Sequence, residues 1–279
     1  MVRVVVVGFL WILAGGLSWT ASANERLVLS YEVWKGGFHA LDLKANLARG
    51  NGDYLISFAV TTRGIIGWIY PYLLEGEAGG KLADGGPRPD RFATLSRSRS
   101  DEKRRAISYL GDGTLVTWND PPRSVENVEE SVPTSMRRNT LDPASAILSV
   151  VDAVTRAGKC EGDYPVYDGR RRFDLSISLI GPDSLAPSRY SSYSGPATLC
   201  RVAVNKLAGF RNRDGEGGLP AIINVWLASV VDSEPMVPVR LEGEAALGNM
   251  IIHLVGAKQE PESRGVSPEG VPLGRSAAR

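Results

Sequence analysis

Four dipeptides do most to limit what this chain can fold into: Gly36-Gly37, Asn51-Gly52, Asp112-Gly113 and Asp168-Gly169. Each accepts the positive φ angles of a tight hairpin turn, and each separates runs in which apolar and polar residues alternate. Successive side chains of a strand project to opposite faces, so these runs read as strands with one face turned to a core. "RLVLSYEVWKGGFHALDLKANLARGNGDYLISFAVTTR" is then three strands of an antiparallel meander. "RRFDLSISLI", "ATLCRVAVNKLAGF", "PAIINVWLASVV", "MVPVRLEGEAAL" and "NMIIHLVGAK" continue the pattern, with Gly248-Asn249 as the last turn. Pro238 has no N–H to give to a ladder, which restricts its strand to an edge or a bulge.

One segment follows a different period. Asp142 is a good N-cap, Pro143 fits the first turn and Gly158 stops the run, which predicts a helix. Ala144, Ile147, Leu148, Val151 and Val154 fall on one face at helical spacing. A lone amphipathic helix in a β chain packs most simply against the concave side of a curved sheet. The expected fold is therefore mainly β: a curved antiparallel sheet forming a barrel-like or β-spiral domain, with one main α-helix packed on it or plugging it.

The amino terminus and the cysteines bear on compartment. Arg3, the apolar run "VVVVGFLWILAGGLSW" and Ala21-Ser22-Ala23 have the order of a secretory signal peptide with a small-residue cleavage site. Residues 1–23 are expected to be this leader and Asn24 the first mature residue. The apolar run, broken by Gly15, Gly16 and Ser18, falls short of the roughly 20 residues of a membrane span, and no later run is long enough. The chain has only two cysteines, Cys160 and Cys200, and export favours a structural disulfide between them. Residues 24–257 are expected to form one β-rich periplasmic domain, and 258–279, rich in Pro, Gly, Ser and charge, a disordered tail.

The 32 basic and 31 acidic residues nearly cancel, and losing Arg3 with the leader makes the mature chain neutral. A protein that grips phosphate backbones usually carries a basic surplus, so nucleic acid is not an expected partner. Three stretches suggest contacts of another kind. "GIIGWIYPYLLEGEAGG" clusters apolar and aromatic residues, including Trp68, Tyr70 and Tyr72, without a clean period. It reads either as an aromatic lip for a lipid, peptide or partner or as a core-facing corner of the sheet. Arg97 and Arg99, two apart, are expected on one strand face, as are Arg170 and Arg172 after Asp168-Gly169. Each pair reads as an anion contact or as a solvated charge network with nearby acids such as Asp163, Asp168 and Asp174.

Signals for catalysis are sparse. G-x-S-x-G, H-E-x-x-H, C-x-x-C, P-loop and dinucleotide motifs are absent. The two histidines, His39 and His253, each sit inside a strand pattern without a catalytic signature. Paired carboxylates in a cavity remain an open alternative, because their separation is invisible in sequence. No cofactor, no metal and no catalytic residue is expected.

"CEGDYPVYDGRRRFDLSISL", "SGPATLCRVAVNKLAGF", "LDPASAIL", "TTRGIIGWIYPY" and "VWLASVVDSEPMVPVRLEGEAALGNMIIHL" together resemble the exported bacterial domain-of-unknown-function family three-one-zero-eight, from about Tyr31 to Val255. The resemblance implies an exported β-rich envelope protein and brings no catalytic residues with it. A looser likeness is to the β-spiral envelope-integrity proteins of α-proteobacteria. The functional expectation is a non-enzymatic periplasmic protein that supports the cell envelope by binding a lipid, glycan or protein partner. The alternatives are an envelope hydrolase using cavity carboxylates and a scaffold without a ligand.

Overall fold

A computed structural model of the chain describes residues 25–122, 132–210, 219–232, 234–245 and 248–261. The expected leader at 1–23 and most of the expected tail lie outside the described residues. Seven strands come first: β1 (Glu25–Lys35), β2 (Phe38–Gly50), β3 (Asp53–Thr62), β4 (Tyr72–Ala83), β5 (Gly86–Ser98), β6 (Glu102–Tyr109) and β7 (Leu115–Asp120). Six follow: β8 (Glu161–Tyr167), β9 (Arg172–Leu185), β10 (Gly195–Ala208), β11 (Ile222–Ala228), β12 (Val237–Ala245) and β13 (Gly248–Pro261). A short helix α1 (Gly64–Ile69) links β3 to β4, and α2 (Pro143–Ala157) carries the chain from β7 to β8.

The described strands form one antiparallel sheet in the order β7-β6-β5-β4-β3-β2-β1-β13-β12-β11-β10-β9-β8. The first half of the chain meanders outward from β1, α2 carries it to the opposite edge, and the second half meanders back until β13 pairs with β1. First and last strands thus meet in the middle. The two edges overlap by side-chain packing: Tyr167, at the end of β8, is buried with Ala78, Phe92 and Ile107 of β4, β5 and β6. The β8–β9 turn lies so close to β6 that a Cβ on Gly169 would sit 3.6 Å from the Arg105 side chain. A curled sheet whose ends overlap in this way is the expected β-spiral arrangement.

The turns follow their dipeptides. Gly36, Gly37, Asn51, Gly52, Gly113 and Gly169 all take positive φ, which side chains with a Cβ rarely tolerate. Pro238 sits in an interior strand at a register shift between β11 and β12, the bulge its missing N–H requires. Two boundaries differ from expectation. Gly248 and Asn249 are already paired with Ala245 and Glu244, so they open β13 and are not the expected turn. β13 runs to Pro261, paired along β1, so a tail beginning at 258 would cut a strand that has a hydrogen-bonded partner.

Helix α2 fills the inside of the curl. The Asp142 carboxylate accepts from Ser145 N at 2.9 Å, and Gly158, at φ 64°, closes the helix with its N–H on Val154 O. Ala144 packs in the cluster with Phe92 and Tyr167, and Ala146 with Val166, Phe173 and Val204. Val151 and Val154 pack with Ile177, Val202, Val225 and Leu227. The helix therefore touches both halves of the sheet. Ile147, expected on the buried face, is 55% exposed; the first turns instead bury Ser145, Ala146 and Ser149. The reason is polar: Ser145 Oγ bonds Tyr54 Oη of β3 at 2.7 Å and Asp142 at 2.5 Å, which rotates the helix away from Ile147. Cys160, just past α2, is bridged to Cys200 of β10 with Cα atoms 5.8 Å apart, both buried.

Candidate functional site

Strands of a meander reverse at every turn, so the β1–β2, β3–β4, β5–β6 and β8–β9 connections all emerge at one end of the curl. At that end the sequence departs from polar loop composition. Helix α1 is the centre of the departure. Gly64 takes φ 55°, and a Cβ on Gly67 would meet Thr62 O at 2.9 Å, so two glycines let the chain turn tightly off β3. Arg63 N bonds Ala40 O and Tyr72 N bonds Thr62 Oγ1, each at 2.9 Å, fixing both ends of the excursion. None of its six residues is buried. Trp68 is 79%, Tyr70 73% and Ile65 68% exposed, with Ile69 and Tyr72 less so; Phe38, at the tip of the β1–β2 hairpin, is 67% exposed.

Cations ring this apolar projection. Arg99 donates from Nη2 to Trp68 O at 3.0 Å, tying the β5–β6 turn to α1. Arg63 pairs with Asp42, which also bonds His39 at 2.7 Å. Arg97 and Arg104 share Glu102, at 2.9 and 2.7 Å, and Lys103 reaches Asp101 at 3.0 Å. The Arg97 hydrogen bond, aided by Arg104, holds the exposed Glu102 carboxyl below its ordinary pKa. Tyr72 points toward the inside; burial raises its phenol pKa, and Arg105 and Arg171 oppose that shift. Arg171 lies over the Phe210 ring at 5.7 Å, with Lys206 at 5.6 Å.

All seven sequence candidates for contact fall at this end, but they do not play one role. Trp68 and Tyr70 stand on the projection, Tyr72 lies at its base turned inward, and Arg97 and Arg99 lie beside it. Arg99 lies past the end of β5, in the turn, so the shared strand face expected for Arg97 and Arg99 does not exist. The same holds for Arg170, which precedes β9 and bonds through its backbone to Asp168. Arg172 is nearly buried and donates to Met136 O, Phe173 O and Asp174; it clamps the Thr134–Met136 turn onto β9 and is removed from the surface set. Arg171 pairs with Asp168 at 2.7 Å, whereas Asp163 accepts from Ser176. The hairpin charges act mainly as fasteners. Sequence reasoning passed over Phe38 and Arg63. The signal was present as an aromatic residue at a Gly-Gly hairpin tip and a cation beside the apolar run.

The two histidines belong to one row of rings that runs from beside the rim. His39 stacks on Trp34 at 5.3 Å, Trp34 meets Tyr190 at 5.0 Å and Tyr190 stacks on His253 at 6.0 Å. Burial, with Arg240 nearby, lowers the His253 pKa. The row seats the β9–β10 loop, where Ser192 N bonds Leu254 O at 2.8 Å. Within the curl, burial pushes the Asp142 carboxyl up to about 6, but its oxygens serve the helix cap. Among the described residues no group of three His, Cys, Asp or Glu side chains is placed to hold a metal, and no helix is long and apolar enough to cross a membrane.

The model of a family described as a protein of unknown function, DUF3108, matches residues 30–255. The chain belongs to the DUF3108 family. The match begins within β1 and ends within β13, so the DUF3108 region takes in the sheet, α2, the disulfide and the rim. No curated protein sequence matches this DUF3108 chain. Among solved structures it is similar to the crystal structure of a β-barrel-like protein of domain of unknown function DUF1849 from Brucella abortus. That likeness covers 85% of this chain and 98% of the other at 14% identity, with a TM-score of 0.47.

Proposed function

We propose that this DUF3108 protein is exported and acts without catalysis in the cell envelope, where the aromatic and basic rim binds an envelope component. One observation carries the reading. Trp68 and Ile65 of α1, a helix that buries nothing, and the adjoining Tyr70 are the most exposed large apolar side chains among the described residues. Contiguous exposed apolar groups rimmed by polar ones mark interaction sites in soluble proteins. Export is supported by the leader pattern of residues 1–23 and by the Cys160–Cys200 pair, since structural disulfides persist in oxidising compartments.

The test is fractionation of cells producing the wild-type chain or Trp68→Ser/Tyr70→Ser. The expected result is release by osmotic shock with part of the wild type retained in the pelleted envelope, and loss of that retention in the variant. Equal retention of the two would remove the rim from the mechanism, and a cytoplasmic protein with both thiols free would remove export.

A further inference from the structure

The geometry points to a specific partner for this rim: the interfacial layer of an anionic lipid bilayer, into which α1 inserts. The inference rests on the binding reading above and names the chemistry of what is bound. Residues 61–74 contain no Asp, Glu, Asn, Gln or Lys; their one charge is Arg63. A sugar site needs polar side chains beside its aromatic platform to read hydroxyl groups, and this segment pairs its aromatics with Ile65 and Ile69 instead. Trp and Tyr are the residues that concentrate at headgroup level, where one side of the ring meets hydrocarbon and the other water. The apolar groups also project outward rather than lining a groove, a shape suited to a soft interface.

Charge supplies the second argument. The stretch 97–105, which makes the β5–β6 turn beside α1, holds five basic residues against two acidic ones. Arg99 uses one N–H on Trp68 O out of the five that a guanidinium offers. The hydrogen bond fixes the cation beside the indole. When Trp68 enters the interface, Arg99 is brought to the level of the lipid phosphates, which guanidinium groups bind well. Basic residues held beside an inserted apolar segment are the usual recipe for reversible attachment to an anionic surface.

The experiment is co-sedimentation of the chain, as isolated from cells, with sucrose-loaded vesicles of phosphatidylcholine alone or mixed with phosphatidylglycerol. Wild type is expected to sediment with the phosphatidylglycerol vesicles and to be released by salt. Trp68→Ser/Tyr70→Ser is expected to bind at least about tenfold more weakly, and Arg99→Gln about fivefold more weakly, both with unchanged thermal unfolding. Wild type and Trp68→Ser/Tyr70→Ser behaving alike with the anionic vesicles overturns the lipid assignment, as does equal binding to the two lipid compositions. Envelope retention of the same variants separates the two ideas. If retention still needs Trp68 and Tyr70 while vesicles are ignored, the rim binds a protein or glycan and only the lipid inference fails. If retention is indifferent to them as well, both fail.

Discussion

The two described α-helices use apolar residues in opposite ways. Both interrupt the meander, and both carry apolar residues that could serve a core. α2 has a side-chain cap, a left-handed glycine stop and seven buried residues; α1 has no side-chain cap, no buried residue and a tryptophan four-fifths in solvent. The sheet decides between them. α2 spans the inside of the curl, where both halves supply partners, whereas α1 turns off the end, where no described residue buries it. An apolar residue on α2 should therefore register in stability, and one on α1 in binding.

The largest effect is expected where α2 leaves the curl. Cys160→Ser/Cys200→Ser opens a loop of 40 residues and should cost about 4 kcal/mol in the chain-entropy account of disulfides, measured by chemical denaturation without reductant. Leu148→Ala should follow at about 3 kcal/mol, the range for truncating a buried leucine. A loss below 1 kcal/mol there would mean that α2 lies on the sheet without filling it.

A third effect distinguishes the cap of α2 from its packing. Burial pushes the Asp142 carboxyl from an ordinary 3.8 up to about 6, so the native state holds this proton more tightly than the unfolded chain does. The stabilisation belongs to the protonated form. It is fully present below about pH 4 and is lost as pH rises through about 6, on the order of 2–3 kcal/mol in all. Asp142→Asn should flatten that part of the pH–stability curve while keeping an N-cap acceptor. Asp142→Ala should flatten it and lose about 1 kcal/mol of capping as well. An unchanged slope in Asp142→Asn would assign the pH dependence to other groups.

The contrast between the helices was half legible in the residues. Where local chemistry fixes the backbone it could be read directly: Asn51-Gly52 and Asp168-Gly169 turn because positive φ suits them, and Asp142 with Gly158 brackets α2. Pro238 announced a bulge for the same kind of reason. Ile147 was misplaced because the rotation of α2 is set by Tyr54, about 90 residues away in sequence, through Ser145. The pairing of β1 with β13 is equally non-local. The aromatic run left two readings open, since Trp68 in a corner and Trp68 on a lip have the same neighbours in sequence; its exposure among the described residues separates them. Arg97 with Arg99, and Arg170 with Arg172, looked equivalent as i,i+2 pairs. Strand ends at Ser98 and Arg172 broke that equivalence.

The smallest stability effect tests the comparison most sharply. Trp68→Ser/Tyr70→Ser deletes two large aromatic groups, which in a core would cost at least about 3 kcal/mol each. On α1 the same change should stay within about 0.5 kcal/mol, the usual span for surface sites, because neither ring is buried and the turn is held by Arg63 N on Ala40 O, Tyr72 N on Thr62 Oγ1 and Arg99 on Trp68 O. All three bonds use groups that both substitutions leave in place. Denaturation midpoints of this variant and Leu148→Ala, measured together, give the ratio directly. A drop near that of Leu148→Ala would make α1 a core element that happens to be uncovered, and its aromatic residues would then be explained by folding alone. A negligible drop leaves folding with no use for them, and binding as the reason they are there.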